Sequence, residues 1–283
     1  MILNNINQAQ QFLPSLNLTQ ANDRFRDFFR RAQEWLVSHV IGEEVEETLE
    51  MDISLTDEDA HKDLRLLCQR VIAEKALLDA IPEMDMQLTE AGFAVQNNDQ
   101  MTPASAQRVD RLMSKLPERI ANDMDALVRY LMKNSTEDAA YDYWRGSEQF
   151  KLLTGAFMPL FEEFNKLAIP PAKTYEEFYA ALFPMAKAMK KTAAYYVSGE
   201  EVDRLVELYR DGEALQVHRM AIAELKGVAA AAFRKDDKAA RDYAISAREV
   251  MLSDPDSFTA FKASSAFNSP TVNLDGGRMV NFL

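Results

Sequence analysis

Apolar positions along this chain recur mostly at spacings of three and four, the period of a helix that lays one face on a core. Between residues 20 and 40 the stripe runs through Phe25, Phe28, Phe29, Ala32, Trp35, Leu36 and Val40, and predicts a helix with an aromatic face. A second stripe, Leu64, Leu67, Cys68, Val71, Ile72, Ala76 and Leu78, follows Thr56 and Asp59, which have capping-box spacing. From Met84 to Val95 the period changes to alternation around Thr89-Glu90-Ala91-Gly92, which predicts a short β-hairpin near 85–96. Thr102-Pro103 then opens a helix expected to run to about Tyr130, with Val109, Leu112, Leu116, Ile120, Met124, Leu127 and Leu131 inward. Pro117 inside that run is expected to kink or split it.

Asn134-Ser135-Thr136 is the best candidate boundary and divides the chain into segments 1–135 and 136–283. Beyond it the pattern predicts a helix around 148–166, a Pro170-Pro171 break, and a helix capped by Thr174 with Glu177 at the capping-box position. Ser198 with Glu201 repeats that device, and Asp211-Gly212 is a stop signal. Two alanine-rich helices follow, then a short one after Asp254-Pro255. Residues 271–282 read as a second hairpin or as an extended tail with a tight turn at Asp275-Gly276-Gly277.

Gly42-Glu43-Glu44-Val45 recurs as Gly199-Glu200-Glu201-Val202. Upstream, Phe25, Phe28, Phe29, Ala32 and Trp35 have the spacing of Tyr179, Leu182, Phe183, Ala186 and Met189. Downstream, Leu67, Val71, Ile72, Ala73, Glu74 and Leu78 match Val217, Ala221, Ile222, Ala223, Glu224 and Val228. The expected architecture is mainly all-α: a duplicated helical bundle unit with one or two short β-hairpins. Gly42 and Gly199 would stand at equivalent corners.

A chain of 283 residues can bury a core without disulfides, as one large domain or two modest ones. Nine glycines and an alanine-rich second half favour helices over a strand-rich sandwich. The net charge of −13 opposes phosphate backbones and anionic bilayers at long range, so neither specific nucleic-acid binding nor a membrane partner is expected. Arg24, Arg26, Arg30 and Arg31 interleave with phenylalanines and read as the solvated side of a helix. Cys68 is alone and is read as a small core residue. The first residues lack a secretory pattern and no run reaches the length of a membrane helix, which leads to the expectation of a cytoplasmic protein.

Candidate chemistry is sparse. The Asp52–Glu58 stretch resembles a calcium loop, but Asp57 stands where the turn needs glycine. One Glu-x-x-His element, Glu58 to His61, is half of what a di-iron bundle uses. There is no Gly-x-Ser-x-Gly elbow and no phosphate-binding glycine loop. His39 and His218 lie in apolar helical patterns and read as structural. No catalytic residue, cofactor site or metal site is therefore assigned. The candidate interaction residues are Phe93, Val95, Met279, Val280 and Phe282, on hairpins too short to be stable without something to pack on.

The aromatic first helix, the Leu64–Leu78 helix, and the segment Met86-Gln87-Leu88-Thr89-Glu90-Ala91-Gly92-Phe93-Ala94-Val95 leading into a long helix carry a resemblance. This order resembles uncharacterised proteins encoded among the structural genes of tailed phages and prophages of gut anaerobes, themselves distantly similar to head-tail connector (neck) proteins. The resemblance implies a non-catalytic head-tail adaptor, working as a homo-oligomer or against neck, portal or tail proteins. It would be found in the bacterial host cytoplasm or in the virion. Connector proteins of that class are shorter single units, and the apparent duplication departs from them. The alternative is a helical small-molecule-binding module or enzyme using a cleft between two pseudo-equivalent halves. Buried polar residues would favour the alternative, and ring-forming contacts the adaptor.

Overall fold

The structure is a computed structural model that describes residues 1–13, 22–52, 61–84, 87–89, 92–94, 106–134, 138–269, 272–275 and 278–280. It is mainly all-α, as the periodicity predicts, and divides into two compact units: Met1–Phe150 with Lys173–Tyr175, and Lys151–Ala172 with Glu176–Leu283. The division falls within a helix, Glu148–Thr154, and not at Asn134–Thr136. Polar boundary residues mark a loop, but the chain beyond that loop still packs on the first unit. Trp144, fully buried, donates its indole N–H to the Val40 carbonyl at 2.8 Å.

The first unit starts with α1 (Ile6–Gln10), capped by Asn5, whose side chain accepts from the Gln8 N–H. The residues before it are tied down by two glutamines. The Ile2 N–H donates to Gln33 and its carbonyl accepts from Gln69, both at 2.8 Å. In α2 (Asn22–Leu36) the predicted aromatic face is buried, and Phe25 meets Phe28 and Phe29 at 5.8 and 5.6 Å between ring centres. The helix widens into a π-turn (Val37–Ile41) and stops at Gly42, whose φ of +76° suits glycine and re-aims the chain into α3 (Glu43–Asp52). Then come α4 (Lys62–Met84), with Leu64, Cys68, Val71, Ile72 and Ala76 buried, and the antiparallel hairpin β1 (Gln87–Thr89) with β2 (Gly92–Ala94). The expected cap at Thr56 lies outside the described residues.

The long helix α5 (Ala106–Lys133) runs unbroken through Pro117, so the expected split does not occur. The ring removes one backbone donor, while buried Leu116, Ile120, Met124, Leu127 and Leu131 keep the helix seated around it. Leu112 is exposed instead of inward, because the first turns of α5 extend beyond the core. The start expected at Thr102-Pro103 lies outside the described residues. The last helix wholly within the unit is α6 (Ala139–Gly146), capped by Asp138.

The helix expected around 148–166 is two helices, α7 (Glu148–Thr154) and α8 (Phe161–Leu167). Buried Phe157 breaks it by turning to φ +59°, where its ring meets Tyr209 edge-on at 5.5 Å. In the second unit α9 (Tyr175–Val197) starts directly after Thr174, and α10 (Gly199–Asp211) ends on Gly212 in the left-handed conformation, as Asp211-Gly212 predicts. Two helices, α11 (Gln216–Phe233) and α12 (Asp237–Ser253), pack closely on each other, with alanines 221, 229, 230, 240, 244 and 247 buried. A 3₁₀ turn (Pro255–Ser257), α13 (Thr259–Ala263) and α14 (Ser265–Asn268) lead to the hairpin β3 (Val272–Asp275) with β4 (Arg278–Val280).

The two helical stretches share an order of elements but not a register. Phe29 is buried, whereas its counterpart Phe183 is 65% exposed on the outer side of α9. The buried face there runs through Tyr175, Phe178, Leu182, Met185 and Met189. The positive-φ corner is Gly42 in one stretch and Ser198, not Gly199, in the other. Glu44 is exposed and Glu201 fully buried. Helical periodicity is by itself enough to produce the matched columns.

Candidate functional site

The chemistry-bearing site of the first unit is a half-open groove between the turn after α1 and the facing sides of α4 and α5, with a cavity of about 450 Å³. Its wall carries four charged side chains. Glu74 on α4 is 2% exposed and pairs with Arg119 of α5, whose side chain is half-exposed. Asp123, one turn further along α5, pairs with Arg70 of α4 at 3.6 Å. Spacing explains the convergence. Arg70 and Glu74, like Arg119 and Asp123, stand at i and i+4 on one helix face, so antiparallel helices bring both pairs together.

The two carboxyl groups lie within hydrogen-bonding reach of each other, an arrangement that needs one proton between two acceptors. Burial pushes the Glu74 carboxyl up from 4.5 to about 7, and the Asp123 charge adds to that while Arg119 opposes it. Oxygen Oε1 of Glu74 faces Arg119. Oxygen Oε2 is buried, and no donor among the described residues reaches it. Phe12 supplies an apolar wall, with the Arg70 guanidinium 5.9 Å from its ring centre. Gln11 and Asn122 add amides at the rim. Such a site can exchange a proton near neutrality, or hold a ligand that brings its own donor.

The residues singled out on the hairpins are placed differently. Phe93 pairs with Leu88 across β1 and β2, and Val280 pairs with Val272 across β3 and β4, where Met279 also lies. The two hairpins belong to different units, and Val95 and Phe282 lie outside the described residues. Among the described residues no cluster of three or more His, Cys, Asp or Glu side chains has the form of a metal site.

Other buried polar groups act as struts. His218 accepts the Leu215 N–H at Nδ1 and so carries its proton on Nε2, which donates to the Ser257 carbonyl at 2.9 Å. His61 meets Asp138 at 2.8 Å, the same carboxylate that caps α6. Cys68 is fully buried, and burial pushes its thiol up to about 12, which leaves it unreactive.

Sequence reasoning passed over Glu74 and Asp123. Their signal was weak but present: Glu74 is three residues after Val71, and Asp123 three after Ile120, so each carboxylate sits beside a buried stripe.

Residues 26–152 match the model of a family of unknown function (DUF6712). The match covers less than half of the chain and includes Arg70, Glu74, Arg119 and Asp123, but not the wall at Gln11 and Phe12. No curated protein and no solved structure matches the chain.

Proposed function

We propose that the chain is a structural protein of a tailed phage or prophage, an adaptor between head and tail that works by assembly and not by turnover. The observation that carries this reading is the pair of hairpins set into helical units. Among the described residues each strand pairs only within its own hairpin, and in this reading the outer edge takes up a further strand. A two-stranded element of three or four residues is marginal in water, and edge-to-edge pairing with a neighbouring chain supplies what it lacks. The β1–β2 hairpin also carries the sequence on which the phage resemblance rests. The partners would be other copies of the chain or neck, portal and tail proteins, met in the host cytoplasm and retained in the virion. Among the described residues no helix is long and apolar enough to cross a membrane.

The test is assembly. The full chain, and a chain ending at Ser269, are compared by sedimentation and light scattering, alone and mixed with portal and tail proteins from the same gene cluster. The full chain is expected to self-associate or bind, and the truncated chain to keep its helical circular dichroism while losing that association. A monomer at high concentration that binds neither component overturns the adaptor reading.

One observation favours a second reading, a small-molecule-binding module. It is the carboxyl pair in the groove of the first unit, buried Glu74 beside part-exposed Asp123, a polar cluster that a core does not need.

A further inference from the structure

We propose that the groove between α1, α4 and α5 binds a small zwitterion of the amino-acid class, its ammonium on Glu74 and Asp123 and its carboxylate on Arg70 and Arg119. Three observations converge. Glu74 is almost wholly buried and lines the groove, yet no donor among the described residues reaches its Oε2. A buried acceptor without a donor is costly, and an N–H group of a ligand removes that cost. The two arginines are each about half-exposed, and among the described residues each shows one carboxylate partner. Both therefore have further guanidinium N–H groups to offer a second anion.

Charge decides the class of ligand. With the proton between the two carboxyls displaced, Glu74 and Asp123 balance Arg70 and Arg119. A lone cation in the proton's place therefore leaves one unbalanced charge, while a lone anion meets only the arginines and gives the carboxyl pair no donor. A zwitterion adds no net charge. Its ammonium takes the place of the proton held between the two carboxyls, and that proton goes to solvent. The Phe12 ring at the wall suits an apolar side chain, and about 450 Å³ accommodates one amino acid with water around it.

The full chain is titrated calorimetrically at pH 7 with L-leucine and L-phenylalanine, in two buffers of different ionisation enthalpy. N-acetyl-leucine, which keeps only the carboxylate, and leucinamide, which keeps only the ammonium, serve as controls. At least one free amino acid is expected to bind with net proton release, and each control to bind about tenfold or more weakly, the scale of one charge-assisted hydrogen bond. Arg70→Gln, a change at a half-exposed position whose fold is checked by circular dichroism, is expected to weaken the amino acid by a similar factor. It should not weaken leucinamide, because losing the guanidinium beside Asp123 favours an ammonium there. Glu74→Gln is expected to abolish the proton release. Absence of a response to both amino acids overturns the site, as do controls that match the free amino acid or a proton count unchanged in Glu74→Gln. Failure here leaves the hairpins, and the adaptor reading, untouched.

Discussion

Glu201, fully buried at the start of α10, accepts the backbone N–H of Phe261 at 2.8 Å, sixty positions along the chain. Its other oxygen accepts from Arg204, which also donates to the Ser257 carbonyl. The capping-box spacing from Ser198 suggests that Glu201 should turn back to the Ser198 N–H. In the structure Ser198 caps the helix, accepting from the Glu201 N–H, while the carboxylate turns inward to hold α13. Glu201→Ala strands the Phe261 N–H and the Arg204 charge, and is expected to destabilise the second unit by about 3–5 kcal/mol. Urea unfolding followed by circular dichroism measures this, and a loss below about 1 kcal/mol would contradict the strut.

Phe29 and Phe183 separate periodicity from burial. Truncating buried Phe29 to Ala is expected to cost about 3–5 kcal/mol. Truncating Phe183, 65% exposed, should stay within roughly 0.5 kcal/mol of wild type. Equal losses in the two variants would contradict this difference in burial.

Gly227 is set by Tyr243. A Cβ at position 227 would lie 2.5 Å from Tyr243 Cδ1 and 2.6 Å from Cγ, near the root of the ring, where turning the ring about its own axis does not relieve it. Gly227→Ala is therefore expected to destabilise by roughly 1–3 kcal/mol despite the better helix propensity of alanine. In a Tyr243→Ala background the clash is gone and the same change should stabilise by about 1 kcal/mol. A double-mutant cycle on thermal melts reads the sign reversal, and identical effects in both backgrounds would refute the contact.

Helices were legible because a stripe such as Phe25, Phe28, Phe29, Ala32 and Leu36 is a direct consequence of burying one face. Breaks were legible where glycine signals them, as at Gly212, and missed where a bulky residue takes the strained backbone, as Phe157 does. Register within a stripe was not legible in α9. Phe178, Leu182 and Phe183 all fit a helical period, and only the packing neighbours choose among them. The carboxyl pair was least legible, since it depends on two helices meeting and each acid alone looks like an ordinary surface residue.

That pair makes a pH prediction. Glu74 has its carboxyl raised to about 7 in the folded chain, by burial first and by Asp123 second, against 4.5 when unfolded. Between those values the folded state holds a proton that the unfolded state has released. Stability is therefore fully present below about 4.5 and is lost as pH rises toward 7, by at most about 1.4 kcal/mol per pH unit. Above 7 both acids are ionised and this contribution levels off. Glu74→Gln carries a permanent N–H toward Asp123, and should flatten the profile and make the variant the more stable of the two at pH 8. Urea midpoints at pH 5, 6, 7 and 8 for both proteins test this. Parallel profiles would show that the two carboxyls share no proton, and a Gln variant less stable at every pH would show that Arg119, and not Asp123, is the partner that matters to Glu74.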